Sequence, residues 1–151
     1  MSQPSFPFTM QLPDQLADLW KREITTANWF SPETEHLVVV CLDAELKVKA
    51  FYPLSVEPDS RTSVPARAAV FRPAFSMAAA YVVIIRHSPS GNPSPCGSDL
   101  RTTRQMRQAG EILGLPLMDF IIIGQADQQY PTGYVSLKEA GYLPDRSLTK
   151  T

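Results

Sequence analysis

The chain is 151 residues long, 44% apolar and 19% charged, the make-up of one ordinary folded domain, which excludes a charged tail, a fibrous repeat or a multidomain chain. Fourteen Lys and Arg against fifteen Asp and Glu leave a formal charge of −1, so the composition builds in no general attraction to phosphate. Cys41 lies in an apolar run and Cys96 in a loop of Pro, Gly and Ser; surroundings so different do not suggest a bridge, and a reduced, cytoplasmic protein is expected. No apolar stretch reaches the roughly 18–20 residues of a membrane span, and the N-terminus has neither the basic start nor the apolar core of a secretion signal. His36 and His87 are the only histidines, so a zinc centre built on two imidazoles must use both.

In chain order, residues 1–13 carry Pro4, Pro7 and Pro13 and read as an irregular arm. Leu16, Leu19, Trp20, Ile24 and Ala27 then recur at three- and four-residue steps behind Asp14 as N-cap, which predicts an amphipathic helix over 14–27. Trp20, Trp29 and Phe30 are expected to pack that helix on a sheet. HLVVVCLD at 36–43 and KVKAFYPLSV at 47–56 predict a hairpin, with Cys41 as a small core residue, followed by a loop from Glu57 to Arg61. The Ala-rich stretch 64–79 reads as a second helix that Pro73 kinks or divides. YVVIIR at 81–86 is a buried strand by composition, ended by a loop too rich in Pro and Gly for regular structure. A third helix runs from an N-cap at Ser98 to Leu113, with Leu100, Thr103, Met106, Gly110 and Leu113 along one side and Gly114 as its stop. LMDFIIIG at 117–124 is another buried strand, and YVSLKEAGYL supplies a last short strand and turn before a polar tail at 144–151. Together these elements predict a single domain at 14–143, a mixed α/β sheet covered by helices.

The unusual residues concentrate after Arg86, where an α/β sheet normally presents its site. The text there is RHSPSGNPSPCGSD. Pro89, Ser90, Gly91, Pro93, Pro95 and Asp99 fall without a gap on the loop signature of RadC-like proteins of the JAB/MPN (JAMM) zinc-metallopeptidase family, which this segment resembles; Asn92 stands where Asp is common. Outside the loop, Glu35 before VVVCLD, Arg67 and Arg72, TRQMRQAGEILGLPLMDFIIIG and GYVSLKEAGYL also resemble family segments, so the likeness runs from about residue 33 to 143. It implies the JAB/MPN fold, which is cytidine-deaminase-like, with a central mixed sheet flanked by helices.

For an intact member the resemblance implies a zinc held by two histidines and an aspartate, a glutamate base and a loop serine. Such a zinc keeps one position open, acidifies its water and polarises an amide carbonyl. Carried over residue by residue, Asp99 matches the aspartate ligand and Glu35 the base, but Arg86 and Ser88 fill the histidine slots, Cys96 the serine slot, and Phe120 a downstream histidine position. His87 lies between Arg86 and Ser88, and strand alternation turns it to the opposite face; His36, next to Glu35, is turned away by the same rule. No bound zinc is therefore expected. The Arg86 guanidinium is expected to bridge Glu35 and Asp99 instead, with Arg86, His87, Ser88, Ser90 and Asp99 forming a former centre that binds rather than cuts.

Other readings of these residues are an enzyme and a DNA-associated accessory protein. A bulge near Ser88 would bring His87 inward to make a zinc-dependent metallo-(iso)peptidase with Asp99 and Glu35. Cys96, His87 and Asp99 form a conceivable thiol, base and acid set, but an inert loop cysteine explains Cys96 more simply. Arg101, Arg104 and Arg107 step along the third helix and suggest a phosphate stripe or, more plainly, a solvated face. The family resemblance adds an association with DNA repair, and for metal-less members a protein or peptide partner, as a homodimer or paired with another subunit, away from any membrane.

Overall fold

The structure, a computed structural model, describes residues 12–54 and 64–143. Most of the N-terminal arm, the loop at 57–61 and the tail at 144–151 lie outside the described residues. The elements are α1 (Leu12–Arg22) with a 3-10 turn at Ile24–Thr26, β1 (His36–Leu42), β2 (Val48–Leu54), α2 (Arg67–Ser76), β3 (Tyr81–His87), α3 (Gly97–Leu113), β4 (Leu117–Ile123) and β5 (Tyr134–Ser136). One five-stranded sheet holds them in the order β2-β1-β3-β4-β5. Only β3 and β4 pair in parallel, because α3 crosses between them; every other pair is antiparallel. This is a mixed sheet flanked by helices, as expected.

Because successive strand residues face opposite ways, the continuous apolar runs of β1, β3 and β4 feed two cores at once. Val39, Cys41, Val82, Ile84, Phe120 and Ile122 point toward α2 and α3, where Val70, Phe71, Ala74, Met106 and Ala109 meet them. Val38, Val40, Val83, Ile85 and Ile121 point to the other face, which α1 covers with Leu16, Leu19 and Trp20. Each fully buried aliphatic side chain contributes about 1.5–3 kcal/mol, so α1 is held by its narrow stripe and not by propensity alone.

Four boundary expectations need correction. Leu12 and Pro13 open α1 instead of closing the arm, and Asp14 sits in its first turn, where its carboxylate accepts the Tyr134 hydroxyl. The α1 region ends as a 3-10 turn, not as helix to residue 27. Pro73 does not divide α2, which runs unbroken through it. The N-cap of α3 is Cys96 and not Ser98, and its buried stripe is Asp99, Thr102, Thr103, Met106, Ala109 and Gly110, leaving Leu113 at 45% exposure. Gly110 belongs to that stripe for space: a Cβ there would come within 2.5 Å of the Leu115 carbonyl oxygen. Gly114 closes the helix at φ 71°, the left-handed cap its position predicts.

Candidate functional site

The antiparallel register of β1 on β3 sets Leu37 opposite Arg86 and His36 opposite His87. Neighbours in sequence are therefore sorted to opposite faces, as alternation requires. On the α3 face, Arg86 projects beside Asp99 in the first turn of α3. Its Nε donates to Asp99 Oδ1 at 2.7 Å and its Nη2 to Oδ2 at 2.9 Å, a two-pronged ion pair with Asp99 only 2% exposed. Nη2 also donates to the Ser94 carbonyl at 3.4 Å. Glu35 Oε1 stands 3.5 Å from Nη1, with 59% of its side chain exposed. Arg86 thus contacts both carboxylates, tightly at Asp99 and loosely at Glu35. Burial alone would lower the Arg86 pKa, but the hydrogen bonds and charge of Asp99 outweigh it, and the net shift is upward.

Asp99 has a second task. Its Oδ2 accepts the Cys96 backbone N–H at 2.8 Å, so one carboxylate both caps α3 and holds Arg86. Cys96 itself is exposed, and the thiol, base and acid set is not assembled, because the Asp99 carboxylate faces Arg86 while His87 lies across the sheet. Ser88, buried at 6% exposure, continues the strand by donating its N–H to the Ile123 carbonyl, and its hydroxyl lies 3.1 Å from that of Ser90. Ser90 Oγ accepts from Asn92 N at 3.3 Å, and Asn92 Oδ1 accepts from Ser94 N at 3.0 Å, which ties the loop to itself. Phe120, in the downstream histidine position, is fully in the core at 1% exposure.

On the α1 face, the His87 ring stacks on Trp20 at 5.4 Å and 24°, edges onto Phe30 at 5.3 Å, and lies 6.1 Å from the His36 ring. Its Nδ1 is 3.1 Å from the Thr34 carbonyl. Burial lowers the His87 pKa, the Thr34 carbonyl opposes the shift, and His36 reinforces it. His36 Nε2 is 3.0 Å from the backbone of Ser31. Pairing of β3 with β1 runs without a shift through His87, so the bulge that would turn His87 inward is not observed. Among the described residues, no three His, Cys, Asp or Glu side chains converge.

Two features had no signal in the sequence. Tyr130 reaches 36 residues back to set its hydroxyl 2.6 Å from Ser94 Oγ, bracing the loop segment whose carbonyl Arg86 uses. Gly124, just after β4, lies so close to the loop that a Cβ there would fall 2.2 Å from the Gly91 carbonyl oxygen.

A five-stranded mixed sheet with this loop at the end of its central strand is the architecture of a JAB/MPN domain. The chain belongs to the RadC-like JAB domain family, whose profile matches residues 10–142. It is 37% identical over 111 residues to a UPF0758 protein of Thermotoga maritima, covering 74% of this chain and 47% of that protein. A UPF0758 protein of Caldanaerobacter subterraneus is 30% identical over 135 residues, 89% of this chain and 53% of its own length. One from Methanosarcina barkeri is 33% identical over 109 residues, 72% of this chain and 44% of its own length. The chain thus spans about half the length of the curated relatives it matches. Among the described residues, no helix is long and apolar enough to cross a membrane.

Proposed function

We propose that this RadC-like JAB domain works without a catalytic zinc, as a protein-binding or scaffold module in the cytoplasm. The observation that carries the reading is the Arg86–Asp99 pair. Arg86 and Ser88 stand where the family resemblance puts histidine ligands, and the guanidinium occupies both oxygens of the one retained ligand, Asp99. This donor set does not fit a zinc: one engaged carboxylate, one loosely held glutamate and a permanent cation between them leave a dication too few ligands and a like charge. Glu35 and Cys96 then keep family positions without a metal-bound water to act on. The free, buried Cys41 and the exposed Cys96 suit the reducing cytoplasm.

Untagged protein, stripped with a chelator and titrated with zinc while its melting temperature is followed, tests this reading. Substoichiometric zinc by mass spectrometry and an unmoved melting temperature are expected. One tightly held zinc per chain with a raised melting temperature would overturn it and restore a metallo-(iso)peptidase in which Glu35 is the base.

A further inference from the structure

A cavity of about 630 Å³ lies along one flank of α3, and its lining includes Leu100, Thr103, Arg104, Arg107, Ile112 and Tyr142. Its volume falls in the range of ligand sites, about 300–1,000 Å³. Thr103 is only 3% exposed, yet its hydroxyl has no hydrogen-bond partner among the described residues. A mid-helix threonine ordinarily satisfies its hydroxyl on the preceding turn, and an orphan costs stability unless something else meets it. Two lining side chains are large, apolar and exposed: Ile112 on α3 at 86% and Tyr142 beyond β5 at 50%.

The charge at the rim says what would fit. Arg104 and Arg107, one helical turn apart, make no ion pair among the described residues, while Glu111, which also lines the cavity, is engaged in an interaction of its own. Two guanidinium groups beside an aliphatic and aromatic surface complement a carboxylate carried next to an apolar side chain. A nucleic-acid backbone would use the arginines but leave Leu100 and Ile112 against charged phosphate, so the lining favours a peptide.

We infer that this face of α3 binds an acidic peptide segment of a partner protein, with the carboxylate on Arg104 and Arg107 and an apolar side chain between Leu100, Ile112 and Tyr142. This rests on the protein-binding reading above and gives its partner a chemistry.

A phage-displayed random heptapeptide library, selected in parallel on the full 151-residue chain and on its Arg104→Gln/Arg107→Gln variant, tests it. Peptides with Asp or Glu within two positions of an aromatic or aliphatic residue should enrich on the first, and a synthetic copy should bind the variant at least tenfold more weakly. Peptides that enrich equally on both proteins would overturn this site and leave the protein-binding reading standing; zinc uptake in the titration above would overturn that reading and not this site. No enrichment on either protein, or loss in the arginine variant only of binding to a labelled DNA duplex, would also overturn the site.

Discussion

Residues 35 and 36, and again 86 and 87, are neighbours in the chain and strangers in the fold. On one face of the β1–β3 pair, Glu35, Arg86 and Asp99 make an ion cluster under the start of α3. On the other, His36 and His87 sit among Trp20, Trp29 and Phe30 as parts of an aromatic packing layer. The chemistry each residue can perform is decided by parity along a strand, not by its distance in sequence from a motif. His36 and His87 are half-buried packing rings, while Arg86, one position from His87, carries the charge beside Asp99.

The largest test of that contrast removes the cation. Arg86→Ala strands the Asp99 carboxylate at 2% exposure, and breaking such a pair costs about 3–5 kcal/mol, so urea unfolding at neutral pH should shift by that much. An unmoved midpoint would mean that Arg86 holds nothing together. Next comes Gly124→Ala, whose new methyl meets the Gly91 carbonyl at 2.2 Å; the backbone must shift, at about 1–3 kcal/mol, and amide exchange should rise across the loop at 88–96 rather than in α1. A loss spread evenly over both faces would blur the division.

The aromatic face should answer to acid instead. Its His87 has a pKa held below the ordinary 6.5, so the unfolded chain takes up the proton first as pH falls. The stability that His87 contributes is therefore complete above pH 6.5 and declines below it, toward its lowered folded value. His87→Phe should flatten that part of the stability–pH curve while keeping the ring contact with Trp20; a curve unchanged by the substitution would show that His87 is solvated. The smallest effect is Cys96→Ser. The Asp99 carboxylate accepts the Cys96 backbone N–H, and a serine hydroxyl can replace the Cys96 side chain in the reciprocal half of the capping box, so the unfolding free energy should change by less than about 0.5 kcal/mol, and iodoacetamide should label the native thiol at an ordinary rate.

The sheet and its two faces were legible because alternation and β-branched runs are local signals: Glu35, Arg86 and Asp99 meet as the pattern predicts, and the histidines turn away. The helix boundaries were harder. Cys96 is outside the usual N-cap set, so the sequence favours Ser98 as the start, and only the fold shows Asp99 closing the cap while gripping Arg86. Gly110 keeps its place on the expected stripe, whereas Leu113, the last residue of α3 before Gly114 closes it, stands 45% exposed. Tyr130's contact and Thr103's unpartnered hydroxyl have no sequence signal, although the helical repeat does place Thr103 on the inner side of α3. Tyr130 acts across 36 residues of chain, and Thr103 differs from any helical threonine only in what its hydroxyl fails to find.

In the zinc-free reading proposed above, Arg86 and Ser88, on the face of Asp99, replace a metal site rather than decorate one. Zinc calorimetry on the chelated wild type beside an Arg86→His/Ser88→His variant tests this most directly. No tight binding is expected in the wild type, and a new site of one zinc per chain is expected in the variant, with Asp99 as third ligand. Equal, tight binding by both proteins would contradict it.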